Sequence, residues 1–116
     1  MKRALLPSRG EIWLVDLDPT VGHEQRGRRP ALVVSADTFN QGPAELLIAV
    51  PVTSVMKGIP SHVAIAAEAS GLERDSYAVC EQVRCVSRGR LHRRLGRAPH
   101  PVMDAVARWL RVLLEL

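Results

Sequence analysis

The sequence predicts a mainly β domain, a small barrel or curled sheet with one amphipathic helix packed on it at the C-terminal end. Three observations carry this expectation. The 116 residues suffice for one hydrophobic core and would crowd two. Up to Val86 the chain is a series of short apolar runs rich in strand formers and separated by proline, glycine and polar residues. Only the tail changes from strand-like spacing to a helical period.

The first run, Glu11-Ile12-Trp13-Leu14-Val15-Asp16-Leu17-Asp18, is closed by Pro19. The second, Ala31 to Ser35, follows Pro30. The third spans Leu46 to Val52, and Pro51 within it has no N–H to donate, so an edge or a bulge is expected there. The fourth is His62 to Ala67. Ser76 to Val86 reads as one long fifth strand with Gln82 and Arg84 on its wet face and Glu81 out of step with the alternation. From Val102 onward, Val102, Val106, Trp109, Leu110 and Leu113 share one helical face, and Asp104, Arg108, Arg111 and Glu115 share the other. Two opposite-charge pairs fall at i,i+4, and Pro101 suits the first turn. Met103, Leu114 and Leu116 widen the apolar stripe beyond one face. That surplus fits either extra core or contact with a partner subunit.

There is no repeat, low-complexity stretch or linker-like break, so residues 1–116 are read as one domain. No apolar run approaches the roughly 20 residues of a membrane span. Met1 to Pro7 lacks the apolar segment of a signal peptide. A soluble, cytoplasmic protein without membrane contact is expected. Cys80 and Cys85 cannot complete a tetrahedral zinc site without two further ligands, so they are read as reduced, structural thiols. No metal or other cofactor is expected. Lys and Arg total 16 against 12 Asp and Glu, giving net +4. All but Lys2 and Lys57 of those cations are arginine. Arginine grips phosphate with a planar fork, so nucleic acid enters as a partner. A GC-rich genome that writes Arg for Lys accounts for the same count.

Four features could carry chemistry. The first is the polar connection Pro19 to Arg29, which a domain this small rarely keeps unused. It holds His23, Glu24, Gln25, Arg26, Arg28 and Arg29, with bends supplied by Gly22 and Gly27; a solvated hairpin loop is the bland reading. The second is Val50-Pro51-Val52-Thr53-Ser54, where two hydroxyls follow a strand and could merely begin a turn. The third is Glu81-Gln82-Val83-Arg84, which alternation alone largely explains. The fourth is the acid-free stretch Gln82 to Val102, with Arg84, Arg88, Arg90, Arg93, Arg94 and Arg97. Such a run is either a solvated loop or a phosphate-tracking surface. No Gly-rich phosphate loop, nucleophile elbow or His-x-x-x-His pair is present. The residues by themselves lead to a small, basic, β-rich domain with an arginine-bearing loop.

The same residues resemble a known family. Arg9-Gly10-Glu11-Ile12-Trp13-Leu14-Val15-Asp16-Leu17-Asp18-Pro19-Thr20, then Gly22-His23-Glu24-Gln25, then Arg29-Pro30-Ala31-Leu32-Val33-Val34-Ser35, resemble the opening of MazF/PemK (Kid) toxins of type II toxin–antitoxin systems. The likeness continues at Val50 to Ser54, at Gly71-Leu72-Glu73-Arg74-Asp75-Ser76 and at Glu81 to Arg84, in order along nearly the whole chain. The resemblance implies an SH3-like barrel of the CcdB/Kid/MazF type with flanking helices, in a homodimer restrained by an acidic, MazE-like antitoxin. It also implies a metal-independent endoribonuclease of the mRNA interferase type that cuts single-stranded RNA at short sequences. The RNA's own 2′-OH is then the nucleophile, leaving 2′,3′-cyclic phosphate and 5′-OH ends. The family's catalytic arginine and threonine fall on Arg29 and Thr53. A guanidinium and a hydroxyl suit the charge that gathers on the non-bridging oxygens. Arginine keeps its proton at neutral pH, so Arg29 is expected to stabilise charge, with His23 or Glu24 assisting proton transfer. The PemK/Kid branch instead joins a histidine, an arginine and an acid; His23 and Glu81 match, but Val79 stands at the arginine position, leaving that set incomplete. Gln25, Arg26, Arg28, Ser54, Lys57, Glu81, Gln82 and Arg84 are expected around the substrate, with 20–28 and 54–61 as base-reading loops. Two alternatives remain: a non-catalytic poison of a protein target, as in gyrase-binding CcdB toxins of this barrel, and a barrel that binds nucleic acid by charge alone.

Overall fold

The structure, a computed structural model, describes residues 6–18, 22 and 27–116. Seven antiparallel strands form one curled sheet: β1 (Glu11–Asp16), β2 (Arg28–Val33), β3 (Leu46–Thr53), β4 (His62–Ile65), β5 (Ser76–Val79), β6 (Arg84–Ser87) and β7 (Leu91–Arg97). The strand order is β4-β5-β3-β2-β1-β7, with β6 also pairing to β3. Two single-turn helices, α1 (Asp37–Asn40) and α2 (Ala67–Ser70), punctuate the sheet, and α3 (His100–Leu114) closes the chain.

Alternation along β1 and β2 sends apolar side chains to both faces. Ile12 pairs with Leu32 and Trp13 with Ala31, and all four are buried. On one face Ile12, Leu32, Val50, Val52, Ile65 and Ala78 pack with Met103 and Val106 of α3. On the other, Trp13, Val15, Ala31, Val33, Leu47 and Ala49 pack with Val86 and Leu91, because the curl brings β6 and β7 over that face. Burying one such Val, Leu or Ile stabilises by roughly 1.5–3 kcal/mol, so two filled faces hold a small sheet together.

Several sequence expectations need correction. Pro51 lies in a central strand, not at an edge. Ile48 directs its C=O to Val34 N–H (2.9 Å) and its N–H to Ser35 Oγ (2.8 Å), so by alternation Pro51 faces away from β2. On that side β6 pairs with 46–49 and β5 with 52–53, and the missing donor falls in the gap between them. Nor is 76–86 one strand: a 3₁₀ turn, Cys80–Gln82, separates β5 from β6. Cys80 is therefore buried and Cys85 exposed, both as free thiols, and burial pushes the Cys80 thiol up to about 12. The arginine-rich 91–97 segment is strand β7, paired with β1. In α3, which has proline in its first turn, Met103 is core whereas Leu113 is 41% exposed. Among the described residues no helix is long and apolar enough to cross a membrane.

The turn after β2 is fixed by a buried amide. Asn40 Nδ2 donates to the Ser35 carbonyl (2.9 Å), and Ser35 Oγ donates to Asn40 Oδ1. This pairing holds α1 against β3.

Candidate active site

Arg29 and Thr53 reach the same opening from adjacent strands. Arg29 stands at the start of β2, opposite Val15 of β1. Pro30 after it keeps Arg29 extended, and Arg29 is exposed. Thr53 ends β3, opposite Tyr77 of β5, and is only 7% exposed. The Val55 N–H donates to Thr53 Oγ1 (3.1 Å). That contact fixes the hydroxyl as an acceptor on one side and leaves its own proton to donate. Both residues line a cavity of about 400 Å³, together with Ser54, Leu72, Glu73, Arg74, Arg93 and Arg94.

Three walls build this cavity. Its floor is the end of the sheet: Leu14, Pro30 and Val52. One side is the connection from α2 to β5, entered through Gly71, which caps α2 at φ 84° in the left-handed region that favours glycine. The opposite side is β7. The two sides meet where Gly96 of β7 lies against the end of α2: a Cβ there would run into the Ser70 carbonyl oxygen. Glycine is therefore a packing requirement at position 96.

Among the described residues four arginines and one glutamate line this opening, so the field they set up is positive. Arg94 is partly neutralised: its Nε lies 3.1 Å from Glu11 Oε2. The other Glu11 oxygen accepts from the Ser8 N–H (2.7 Å) and from Trp13 Nε1 (3.2 Å). This cluster ties β7 to β1 and to the segment before it.

The other expected site residues are scattered. Ser54 is in the cavity lining; Arg28, Lys57, Glu81, Gln82 and Arg84 are not. Arg28 is exposed on the strand start and Lys57 on the segment between β3 and β4. Gln82 is half-buried in the 3₁₀ turn. Arg84 donates to the Leu17 carbonyl (3.2 Å), and Arg90 donates to the carbonyls of Asp16 (3.3 Å) and Asp18. With Gly27 N–H bound to the Asp18 carboxylate (2.9 Å), these contacts brace the base of the arginine-bearing connection. His23, Glu24, Gln25 and Arg26 lie outside the described residues.

Glu81 has a separate environment. Ser61 Oγ donates to its Oε1 (2.6 Å), and His62 Nε2 lies 2.6 Å from Oε2. Burial pushes the carboxyl pKa upward, but hydrogen bonds from Ser61, the backbone and His62 outweigh it and leave the carboxyl below its ordinary value. The result fastens the 3₁₀ turn to β4. Among the described residues no three His, Cys, Asp or Glu side chains converge as metal ligands would.

Sequence reasoning had singled out Glu73 and Arg74 only as part of a motif, and Arg93 and Arg94 only as members of a basic run. Their convergence on Arg29 and Thr53 depends on β7 pairing with β1, which the polar 91–97 segment does not announce.

Comparison with known proteins matches this picture. The family described as PemK-like, MazF-like toxin of type II toxin–antitoxin system matches residues 8–114. Endoribonuclease EndoA of Bacillus subtilis is 34% identical over 113 residues, covering 97% of each chain. The crystal structure of MazF from Deinococcus radiodurans superimposes with a TM-score of 0.87 at 34% identity, covering 97% of this chain and 99% of that one. A MazE–MazF complex from the same organism matches at 0.80 and 34%, covering 97% and 98%.

Proposed function

The chain belongs to the family of PemK-like, MazF-like toxins of type II toxin–antitoxin systems, and on that premise we propose that it is a sequence-specific endoribonuclease acting on single-stranded RNA. The observation that carries this reading is the shared cavity of Arg29 and Thr53. A phosphodiester placed there meets a guanidinium on one side and a hydroxyl with a free proton on the other. When the 2′-OH attacks phosphorus, charge grows on the non-bridging oxygens, and both groups oppose it in place. The P–O5′ bond breaks, giving a 2′,3′-cyclic phosphate and a 5′-OH without a metal ion. His23 or Glu24 assists the proton transfers. Ser54, in the cavity lining, contacts the strand beside the attacked phosphate, and Gln25, Arg26, Arg28 and Lys57 contact flanking nucleotides, whereas Glu81 and Arg84 are held by Ser61, His62 and the Leu17 carbonyl.

The positive opening suits an acidic, disordered antitoxin segment that covers the site until released. Solved MazE–MazF complexes of relatives support such a partner. A homodimer is supported by the apolar end of α3, where Val112, Leu113 and Leu114 are 64%, 41% and 54% exposed. The reaction belongs in the cytoplasm, where the RNA is.

The test is cleavage of a mixed-sequence single-stranded RNA in EDTA by wild type, Arg29→Ala and Thr53→Val. The proposal expects each substitution to slow cleavage about 100- to 1,000-fold, as removal of one oxyanion donor does. Intact RNA with the wild-type protein would reject it.

A further inference from the structure

The run of arginines from Arg84 to Arg97 is sorted by the fold into different tasks. Arg84 and Arg90 hold backbone carbonyls at 16–18. Arg88 donates to the Asn40 carbonyl (3.1 Å) and lies 3.7 Å from Glu45. Arg94 is bound to Glu11. Arg97 lies at a different opening, with Arg9 and His100. Arg93 alone of this run both lines the cavity of Arg29 and Thr53 and, among the described residues, has no hydrogen-bond or ion-pair partner for its guanidinium. The Arg74 guanidinium, across the opening on the α2–β5 connection, is in the same position, its carbonyl alone accepting from Ser76 Oγ.

We infer that Arg93, with Arg74, grips a second phosphodiester of the bound strand, next to the one that Arg29 and Thr53 attack. The placement follows from the shared lining and the register. Arg29 and Arg93 both line the cavity, and Leu14 of β1 pairs with Pro30 of β2 and with Arg93 of β7, so Arg93 stands level with the residue after Arg29, across β1 from it. Two strand spacings separate them, about 10 Å at the backbone. A strand of RNA crossing the cavity from β2 to β7 keeps its phosphates on both guanidinium groups in turn. Glu73, the one carboxylate in the lining among the described residues, disfavours a phosphate beside it and so narrows the path to the arginine sides. An exposed, unpaired guanidinium needs no rearrangement to take up this contact.

This inference rests on the reading of the cavity as an RNA site, and its test separates the two. A fluorescently labelled single strand of mixed sequence with 2′-O-methyl groups, which 2′-OH attack cannot cut, is bound by the full chain and followed by anisotropy between about 50 and 200 mM salt. Arg93→Gln is expected to weaken binding about tenfold, the low end for a hydrogen bond to a charged partner. It is also expected to reduce the slope of log K against log salt by about 0.7, one phosphate on a single strand. Arg93→Lys keeps the slope. Arg108→Gln, on the exposed face of α3, changes neither quantity. Wild-type affinity and slope in Arg93→Gln, or the same loss in Arg108→Gln, overturns the inference, as does failure of the wild type to bind the strand. On cleavable RNA the Arg93→Gln loss falls on KM and not on kcat. A wild type that binds the strand but never cuts RNA defeats the endoribonuclease reading and leaves Arg93 to be decided by anisotropy.

Discussion

Gly96→Ala tests whether the cavity wall is as tightly built as its geometry implies. The added Cβ would lie 3.1 Å from the Ser70 carbonyl carbon and 3.6 Å from that of Gly71, and closer still to the Ser70 oxygen. Those atoms belong to backbone, so no side chain can swing aside. Restoring ordinary contact distances demands a shift on the order of 1 Å between β7 and the end of α2. Position 96 is not in the positive-φ region, so alanine meets no dihedral penalty and the effect is steric. Overpacking of this kind costs about 1–3 kcal/mol, and for a domain of this size 2 kcal/mol lowers Tm by roughly 8 °C. The same shift moves Gly71 and Leu72, which line the cavity, and a 1 Å misplacement of a reacting site costs about 100-fold in rate. Urea unfolding and RNA cleavage measured side by side give both numbers. Gly89→Ala is the control, because its Cβ would meet only the Ser87 hydroxyl at an ordinary 3.6 Å. A Gly96→Ala protein within about 0.5 kcal/mol of wild type, the range of a neutral surface change, would refute the packing argument.

Other outcomes follow from single contacts. Asn40→Ala removes the buried donor to the Ser35 carbonyl and the acceptor of the Ser35 hydroxyl, which keeps only Ile48, and urea unfolding should show a loss of about 1–3 kcal/mol. The depressed Glu81 carboxyl adds stability that is fully present above its ordinary value of 4.5 and is lost as pH falls below it. Wild type should therefore lose stability below pH 4.5 more steeply than Glu81→Gln, and parallel acid limbs in denaturation curves would contradict the hydrogen bonding described. A thiol reagent should label Cys85 quickly and leave Cys80 untouched until the protein unfolds, since Cys80 is buried and its thiol is pushed up to about 12.

The parts of the fold legible in the sequence are those where burial writes a period. β1 and β2 could be placed because they are short contiguous apolar runs of strand formers, and α3 because its apolar residues recur at helical spacing. β7 could not: Leu91-His92-Arg93-Arg94-Leu95-Gly96-Arg97 buries Leu91 but exposes His92 to Arg94, so an edge position leaves little hydrophobic trace. The break between β5 and β6 did leave one. Glu81, out of step with the alternation, turns aside to meet Ser61 and His62, and the 3₁₀ turn is the backbone's response. Pro51 misled because strand neighbours are not visible in a sequence; two partners sharing one side of β3 leave a gap that no local pattern reveals. For the candidate site, motif alone singles out Arg29 and Thr53, while Arg74 and Arg93 join the same cavity lining only through tertiary pairing.

The proposed mechanism has this cavity direct a strand's own 2′-OH at the adjacent phosphorus. The direct measurement is end analysis on one cut site, once mapped, in two otherwise identical RNA strands, with the nucleotide 5′ of that site carrying either 2′-OH or 2′-H. The account predicts 2′,3′-cyclic phosphate and 5′-OH ends from the first and no cut there in the second. Continued cleavage of the 2′-H strand at that position, leaving a 3′-OH and a 5′-phosphate, would contradict it.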